Sequence, residues 1–361
     1  MILLNRLKRK KQIGTLMCPK CLTMLKMDAE SDIKVCPTKY SGDTPCNYEF
    51  PIRYIQNSNY VQPFFIQMFG WTEHGKTVFI DVLRLILLDM RKLWPQYTHQ
   101  AITQLDMEHE RVLRAQLRQG QMPESTQVRD RQQNEVYIMQ LDNMVRWGSR
   151  SLVIMDHAGE MFADFEVPVD EMPFLIKSPT TFLIISIPKL KQTQKGEAMD
   201  QLLNIYIQAM TQHKVNFRKT RRKLVVVLTM ADIIPSLPIN LKNYLTTDTV
   251  WEKIRSPKSS HMALLEMGAY VERMQWVSDE IKDWLQADAD GAPGGANLVG
   301  LIESNNIEAR YSLISATGFD IETLNMSNVN TIDDSEHKKG IQLNPRRVLD
   351  PFFWALEFQS E

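Results

Sequence analysis

Residues 63–69 (PFFIQMF) form a nearly continuous apolar run that stops at Gly70. Such a short run, rich in aromatic side chains and bounded by glycine, predicts a strand buried on both faces. The period then changes. Over residues 77–94, apolar side chains recur at Phe79, Val82, Leu83, Ile86, Leu87 and Met90, the spacing of one helix face, and Pro95 ends the pattern. Residues 101–119 predict a second helix, rich in charge. Residues 136–145 and 151–155 predict two strands of a hairpin joined across Trp147, Gly148 and Ser149. Three more short apolar runs, 181–187 (TFLIISI), 224–228 (LVVVL) and 311–314 (YSLI), predict buried strands, with helices between them near 200–217 and 261–286. Residues 287–300 (ADADGAPGGANLVG) and 325–340 are polar or glycine-rich and predict loops. No internal repeat interrupts this order. Alternating strand and helix after one early hairpin predicts an α/β fold, with a mostly parallel sheet covered by helices on both faces.

Composition narrows the partners. The 361 residues carry 42 Lys+Arg against 43 Asp+Glu, a formal net charge of −1, which offers no field for a wholesale nucleic-acid coat. At 43% hydrophobic and 24% charged, the chain can bury one large core and a small second unit. No run reaches the roughly 18 apolar residues of a membrane span, and the opening MILLNRLKRKK is too briefly apolar for a secretory signal. A cytoplasmic location is the expectation.

All four cysteines, Cys18, Cys21, Cys36 and Cys46, fall in the first 46 residues. Cys18 and Cys21 form a tight pair, and Cys36 with Cys46 can close a looser second arm around one ion. Four thiolates in two arms suit tetrahedral Zn²⁺, and metal binding would supply the folding free energy that this short polar segment lacks. The expected organisation is a basic segment at 1–16, a four-cysteine zinc ribbon at 17–52, and a larger domain at 60–361 with an insertion at about 96–125. Lys8, Arg9, Lys10, Lys11 and Lys20 lie beside the ribbon, but such a charge run reads as a solvated face rather than a nucleic-acid contact.

The predicted strand at 63–69 runs into GWTEHGKT, residues 70–77, and then into a helix. This is the G-x-x-x-x-G-K-[ST] pattern in its required strand, loop, helix context. Backbone N–H groups of Gly70, Trp71, Thr72, Glu73, His74 and Gly75 would surround phosphate oxygens. Lys76 would reach the β and γ oxygens, and the Thr77 hydroxyl would bind Mg²⁺. Downstream, the strand SLVIM ends in DHAG, residues 156–159. There Asp156 would contact Mg²⁺ through water and the Gly159 amide would contact the γ-phosphate. A third strand ends in TMAD, residues 229–232, where Thr229 and Asp232 meet a base, the carboxylate accepting two hydrogen bonds from a guanine edge. The fourth ends in SATG, residues 315–318, where Ser315 leads to Ala316, whose amide would donate to a purine carbonyl. Four strand ends thus converge on one rim, where open α/β sheets bind ligands.

In that order GWTEHGKT, DHAG, TMAD and SATG resemble the phosphate loop, second switch and two base motifs of the Ras-like, TRAFAC-class GTPases of the P-loop NTPase fold. With the cysteine ribbon, the long segment before DHAG and the terminal RVLDPFFWAL, the chain resembles the second component of bacterial double-GTPase systems. The resemblance implies a GTP- and GDP-binding switch that hydrolyses GTP with Mg²⁺. It also implies a protein partner, a second GTPase, in a conflict or defence role. Two positions depart from the pattern: Met230 stands where the family has a lysine over the guanine face, and Glu160 stands where many members place a water-positioning Gln. A carboxylate at 160 can orient water but adds negative charge beside the γ-phosphate, so the expected catalytic set of Lys76, Glu160 and Thr126 predicts slow unaided turnover. Thr126, in the polar MPESTQ loop, is the expected first-switch ligand to Mg²⁺, with Thr98 and Thr103 as rivals.

Other candidates carry less. His74 sits inside the phosphate loop, where backbone geometry is a stronger demand than proton transfer. Arg218, Lys219, Arg221, Arg222 and Lys223 precede a buried strand and read as a solvated loop. None of the seven histidines lies in a catalytic metal spacing such as H-E-x-x-H. Two rival functions stand beside the switch: an ATPase of the same fold, and a nucleotide-bound scaffold that recruits a partner through the ribbon without turnover.

Overall fold

A computed structural model describes residues 14–27, 34–39, 45–58, 60–118, 135–157, 173–190, 198–220, 222–255, 266–287, 291–318 and 344–360. Its central feature is a seven-stranded sheet of order β4-β5-β6-β3-β7-β8-β9. The strands are β3 (Gln62–Phe69), β4 (Thr98–Ala101), β5 (Glu135–Met144), β6 (Gly148–Asp156), β7 (Thr180–Ser186), β8 (Lys223–Thr229) and β9 (Glu308–Leu313). From β6 to β9 neighbours run parallel, while β4, β5 and β6 pair antiparallel. The parallel part is built from the apolar runs, as two-sided burial requires.

Alternation along β3 separates the cores. Phe64, Ile66 and Met68 join one face with helix Lys76–Asp89 and the final helix Leu349–Ser360. Phe69 faces the other side with helices Met199–Gln212, Met267–Ala287 and Gly295–Ser304. Phe65 turns instead to a third cluster shared with the cysteine segment and with Ile138, Val153, Met155 and Phe174. That segment contains β1 (Gly14–Met17) and β2 (Met24–Met27), an antiparallel pair. It lies on the sheet as a small cover: Tyr54 Oη donates to the Met17 carbonyl at 2.8 Å, and Lys177 Nζ donates to the Cys21 carbonyl at 3.1 Å. No helix among the described residues is long and apolar enough to cross a membrane.

Several expected elements shift. The helix expected over 101–119 begins at Gln104, because Thr98–Ala101 pairs with β5 as the outer strand of the sheet. Residues 98–101 thus belong to the sheet edge within the stretch read as an insertion. The hairpin turn falls at 145–147, where Arg146 has φ 80, and Gly148 with φ 68 already begins β6. The loop expected over 287–300 contains the start of helix Gly295–Ser304, entered through Gly294 at φ 76. Residues 325–340 lie outside the described residues. Arg222 is not part of a solvated loop: it is 8% exposed, and its guanidinium donates to the carbonyls of Ile176 and Ser178.

The final helix closes the main core. Phe353 stacks on Trp147 with ring centroids 5.2 Å apart, and Glu357 accepts from Arg146 at 2.6 Å and from the Trp147 indole at 2.7 Å. Asp350, 2% exposed, accepts from the hydroxyls of Tyr244 and Tyr270, each at 2.5 Å. Arg347, 1% exposed, lies over the Tyr244 ring at 3.6 Å and donates to the Tyr244 and Thr247 carbonyls at 2.9 and 2.6 Å. Burial raises the Asp350 carboxyl to about 6, while Arg347 and the two hydroxyl donors favour its charged form, in which those hydrogen bonds are charge-assisted. Asp350→Asn keeps the volume and removes the charge. It should lower stability by about 1.5–3 kcal/mol, read from the midpoint of urea unfolding, and an unchanged midpoint would mean that the tyrosines bind a neutral acid as well as an anion.

Candidate functional site

The carboxyl end of β3 meets Gly70 beside β7. A Cβ built on Gly70 would stand 2.6 Å from the Ile184 carbonyl oxygen, so the chain can leave the sheet here only as glycine. Glu73 follows at φ 62 and Gly75 at φ 83, which curl the loop before the helix starts at Lys76. Lys76 turns back over this curl. Its ammonium donates to the Gly70 and Trp71 carbonyls, both at 2.7 Å, and so ties the loop's first residues to the helix N-terminus. Only 7% of Lys76 is exposed, and burial pushes its ammonium down to about 8, with Asp156 acting in the opposite direction.

Two further bonds pin the loop to neighbouring strand ends. The Ser186 N–H, at the end of β7, donates to His74 Nδ1 at 3.1 Å, and the Thr229 hydroxyl, at the end of β8, donates to the His74 carbonyl at 2.8 Å. Trp71 covers the His74 ring edge-on at 5.3 Å. Burial, with help from Lys76 and Lys189, lowers His74 to about 4, so the ring is a neutral acceptor at pH 7. His157, 1% exposed, falls to about 3 for the same chief reason. Thr72 and Glu73 are exposed on the outer side of the loop, where Glu73 meets Lys189 at 3.3 Å.

At the end of β6, Oδ2 of Asp156 accepts from the Thr77 hydroxyl at 3.2 Å. The parallel pairing of β3 with β6 therefore brings residues 79 positions apart into one polar pair. At the far side of the rim, Met230 takes φ 54 and the Ala231 N–H donates to the Ile314 carbonyl at 3.0 Å. This bond sets the turn carrying Asp232, which is exposed, beside Ser315 and Ala316. Ser315 is buried, exchanges backbone bonds with Arg346 at 3.0 and 2.8 Å, and accepts the Gly318 N–H at 3.0 Å. Met230 also reaches the loop end of β7, with its sulfur 3.3 Å from Ser186 Oγ.

Gly70, Trp71, Thr72, Glu73, His74, Gly75, Lys76, Thr77, Asp156, Thr229, Asp232, Ser315 and Ala316 thus share the carboxyl rim of the sheet. Thr126, Gly159 and Glu160 lie outside the described residues. Both rivals of Thr126 have local partners: Thr98 is on β4 near Asp142 at 3.5 Å, and Thr103 caps the next helix, accepting the Asp106 N–H at 2.9 Å. Ser186, in its bond to His74, and Arg346, in its bonds to Ser315, escaped the sequence reading because these bonds use backbone atoms, which leave no residue signature.

The second candidate centre is the cysteine cluster. Sγ of Cys18 lies 3.8 Å from that of Cys46, Sγ of Cys21 lies 3.7 Å from that of Cys36, and the four sulfurs all lie within 4.8 Å of one another. All four are buried thiols. Tetrahedral zinc with bonds of about 2.3 Å holds its sulfurs roughly 3.8 Å apart, whereas a disulfide needs about 2.05 Å. The residue after each second cysteine is left-handed, Leu22 at φ 52 and Asn47 at φ 47, so the two arms close by the same backbone turn. The donor set therefore fits a four-thiolate metal ion.

No protein-family model matches the chain, and no curated protein matches it in sequence. Among solved structures, the bacterial selenocysteine-specific elongation factor EF-Sec overlaps 74% of this chain and 28% of its own, with 13% identity and a TM-score of 0.27. Elongation factor SelB from Methanococcus maripaludis, in complex with the GTP analogue GPPNHP, overlaps 77% of this chain and 35% of its own, with 13% identity and a TM-score of 0.27. The signal recognition particle receptor SRb-GTP/SRX complex from Chaetomium thermophilum overlaps 73% of this chain and 94% of its own, with 11% identity and a TM-score of 0.34. The chain spans 28% and 35% of the two elongation factors' lengths, and at these scores the likeness assigns neither family nor activity.

Gly70 offers a test of the loop that needs no ligand. Gly70→Ala drives a methyl against the Ile184 carbonyl and should cost about 1–3 kcal/mol of stability, measured as a fall in Tm. An unaltered Tm would mean that the loop and β7 separate freely.

Proposed function

We propose that the chain binds and hydrolyses GTP with Mg²⁺ as a molecular switch. One observation carries the reading: the Thr77 hydroxyl, one residue after a buried ammonium at a helix N-terminus, lies 3.2 Å from the Asp156 carboxylate. A cation, a hydroxyl, a carboxylate and a curl of backbone N–H groups form the donor set for a triphosphate and its hard divalent ion.

In this reading Lys76 binds the β and γ oxygens, and Thr77, Asp156 and Thr126 hold Mg²⁺. When bound, Mg²⁺ supplies positive charge that neutralises the phosphate oxygens. Thr229, Asp232, Ser315 and Ala316 receive the base, the Asp232 carboxylate accepting from guanine and the Ala316 amide donating to its carbonyl. Glu160 orients a water and the Gly159 amide contacts the γ-phosphate. The water oxygen attacks phosphorus in line as the bond to the β-phosphate oxygen breaks, with Lys76 and backbone donors steadying the charge. Glu160 adds negative charge, so turnover is slow until a protein partner supplies a cation or reshapes the second switch. The resemblance in the motifs supports a second GTPase as that partner, in a bacterial conflict or defence system. The ribbon holds Zn²⁺ through Cys18, Cys21, Cys36 and Cys46.

Calorimetric titration with GTP, GDP and ATP tests the nucleotide reading. Guanine nucleotides should bind well above ATP, Lys76→Ala should weaken GTP binding by about a hundredfold, and Asp232→Asn should shift preference from guanine toward xanthine. Equal affinity for ATP would replace the GTPase by an ATPase of the same fold.

Elemental analysis of protein purified without chelator should find about one zinc per chain. Cys46→Ser should lose it and expose residues 14–58 to proteolysis. A metal-free chain with that segment still protected would sink the zinc assignment.

A further inference from the structure

The opposite end of the sheet carries a second concavity. A groove of about 660 Å³ lies between the ribbon and the amino end of β3, where Gln62 and Pro63 mark its edge. β3 carries the chain from this end to the phosphate loop over eight residues, so the two sites are separated by the length of a strand. Tyr54, Phe65 and Leu22, all buried, contribute to its apolar wall. Met24 is 55% exposed and Tyr60 is 89% exposed, although both belong to the groove. Exposed apolar side chains beside a concave apolar wall mark a surface that a partner covers.

The shape and charge of the groove select the partner. Thr15 and Met17, alternate residues of β1, both contribute, so one face of this strand borders the groove along its length. Across the pair, Lys26 stands opposite Thr15 and Met24 opposite Met17, and directly opposed residues share a face. Lys26 therefore lies on the groove side of the ribbon, and Lys177 lines the groove from the body. Lys177 gives two donors to the ribbon, to the Cys21 carbonyl at 3.1 Å and Thr23 Oγ1 at 3.0 Å, and an ammonium has three. Among the described lining residues there is no Asp or Glu.

We propose that this groove is a docking site for an extended peptide segment of a partner protein that carries apolar side chains between acidic ones. Its apolar residues enter against Tyr54, Phe65 and Met24, and its carboxylates lie beside Lys177 and Lys26. The site is independent of the nucleotide reading and holds whether or not the rim binds GTP.

Methionine-methyl NMR on the full chain tests it, because Met17 and Met24 report from the groove itself. The probes are an acetylated Glu-Phe-Glu-Leu-Glu peptide, its Lys-Phe-Lys-Leu-Lys counterpart and a neutral Gln-Phe-Gln-Leu-Gln peptide. The acidic peptide should shift both methyls saturably and leave methionines of the main core, such as Met68, unmoved. Lys177→Glu and Lys26→Glu should each weaken it by about threefold to tenfold. Lys26→Glu guards against undocking of the ribbon by loss of the Lys177 bonds. Equal shifts from the basic or neutral peptide, no shift at either methyl, or binding unaffected by both charge reversals would each overturn the proposal. Concentration-dependent shifts of these methyls without peptide would overturn it in favour of a second copy of the chain.

Discussion

The parallel pairing of β3 with β6 on one side and β7 on the other is the constraint from which the candidate site follows. A strand buried on both faces in the middle of a sheet has one exit at its carboxyl end. Its neighbours, running the same way, end beside it with Asp156 and Ser186. Gly70 allows the closest approach, and the loop's later contacts use groups that this pairing, extended by that of β7 with β8, has already placed. Thr77 finds Asp156, His74 finds Ser186 and Thr229, and Lys76 finds the carbonyls that the curl turns inward. The polar pairs are thus consequences of strand order, and they would not survive a one-residue slip of β3 against β6.

The same sheet assigns its remaining surface. Helices cover both faces beyond β3, but over β3, β5 and β6 one face is left to Phe65, Ile138, Val153 and Met155. The small cysteine segment covers them with Leu16, Phe50 and Tyr54. So little apolar area orders such a segment weakly, and the four thiols gathered within 4.8 Å at its centre are the donors that a metal ion would use to hold it. Because the cover is smaller than the surface beneath it, a groove remains at its margin.

The parts of this arrangement that were legible in the sequence are those with a strict period or spacing. Apolar runs marked β3, β7, β8 and β9, and the phosphate-loop pattern marked its own residues because its glycines and lysine have separate geometric duties. Other parts had no such signal. β4 (THQA) is a polar edge strand, visible only through its pairing with β5. The final helix is apolar on nearly every side, so it lacks the one-faced pattern by which a surface helix is read. Helix Gly295–Ser304 begins behind a glycine pair, which in sequence reads as loop. Arg222 lay in a basic run, and only its carbonyl partners distinguish it from a solvated charge.

The charge distribution at the rim limits which groups can do chemistry there. Lys76, His74 and His157 crowd the base of the loop, and three cations so close would repel one another strongly in a medium of low dielectric. Burial and the Lys76 charge lower the pKa of both imidazoles far below 7, so of these three groups only Lys76 is a cation at pH 7, offset in part by Asp156. His74 spends its Nδ1 lone pair on the Ser186 N–H, and losing that bond by protonation would leave a buried donor unmatched. Neither imidazole is therefore suited to carry a proton in a reaction at neutral pH. The loop itself contributes position and the Lys76 charge, not a proton carrier.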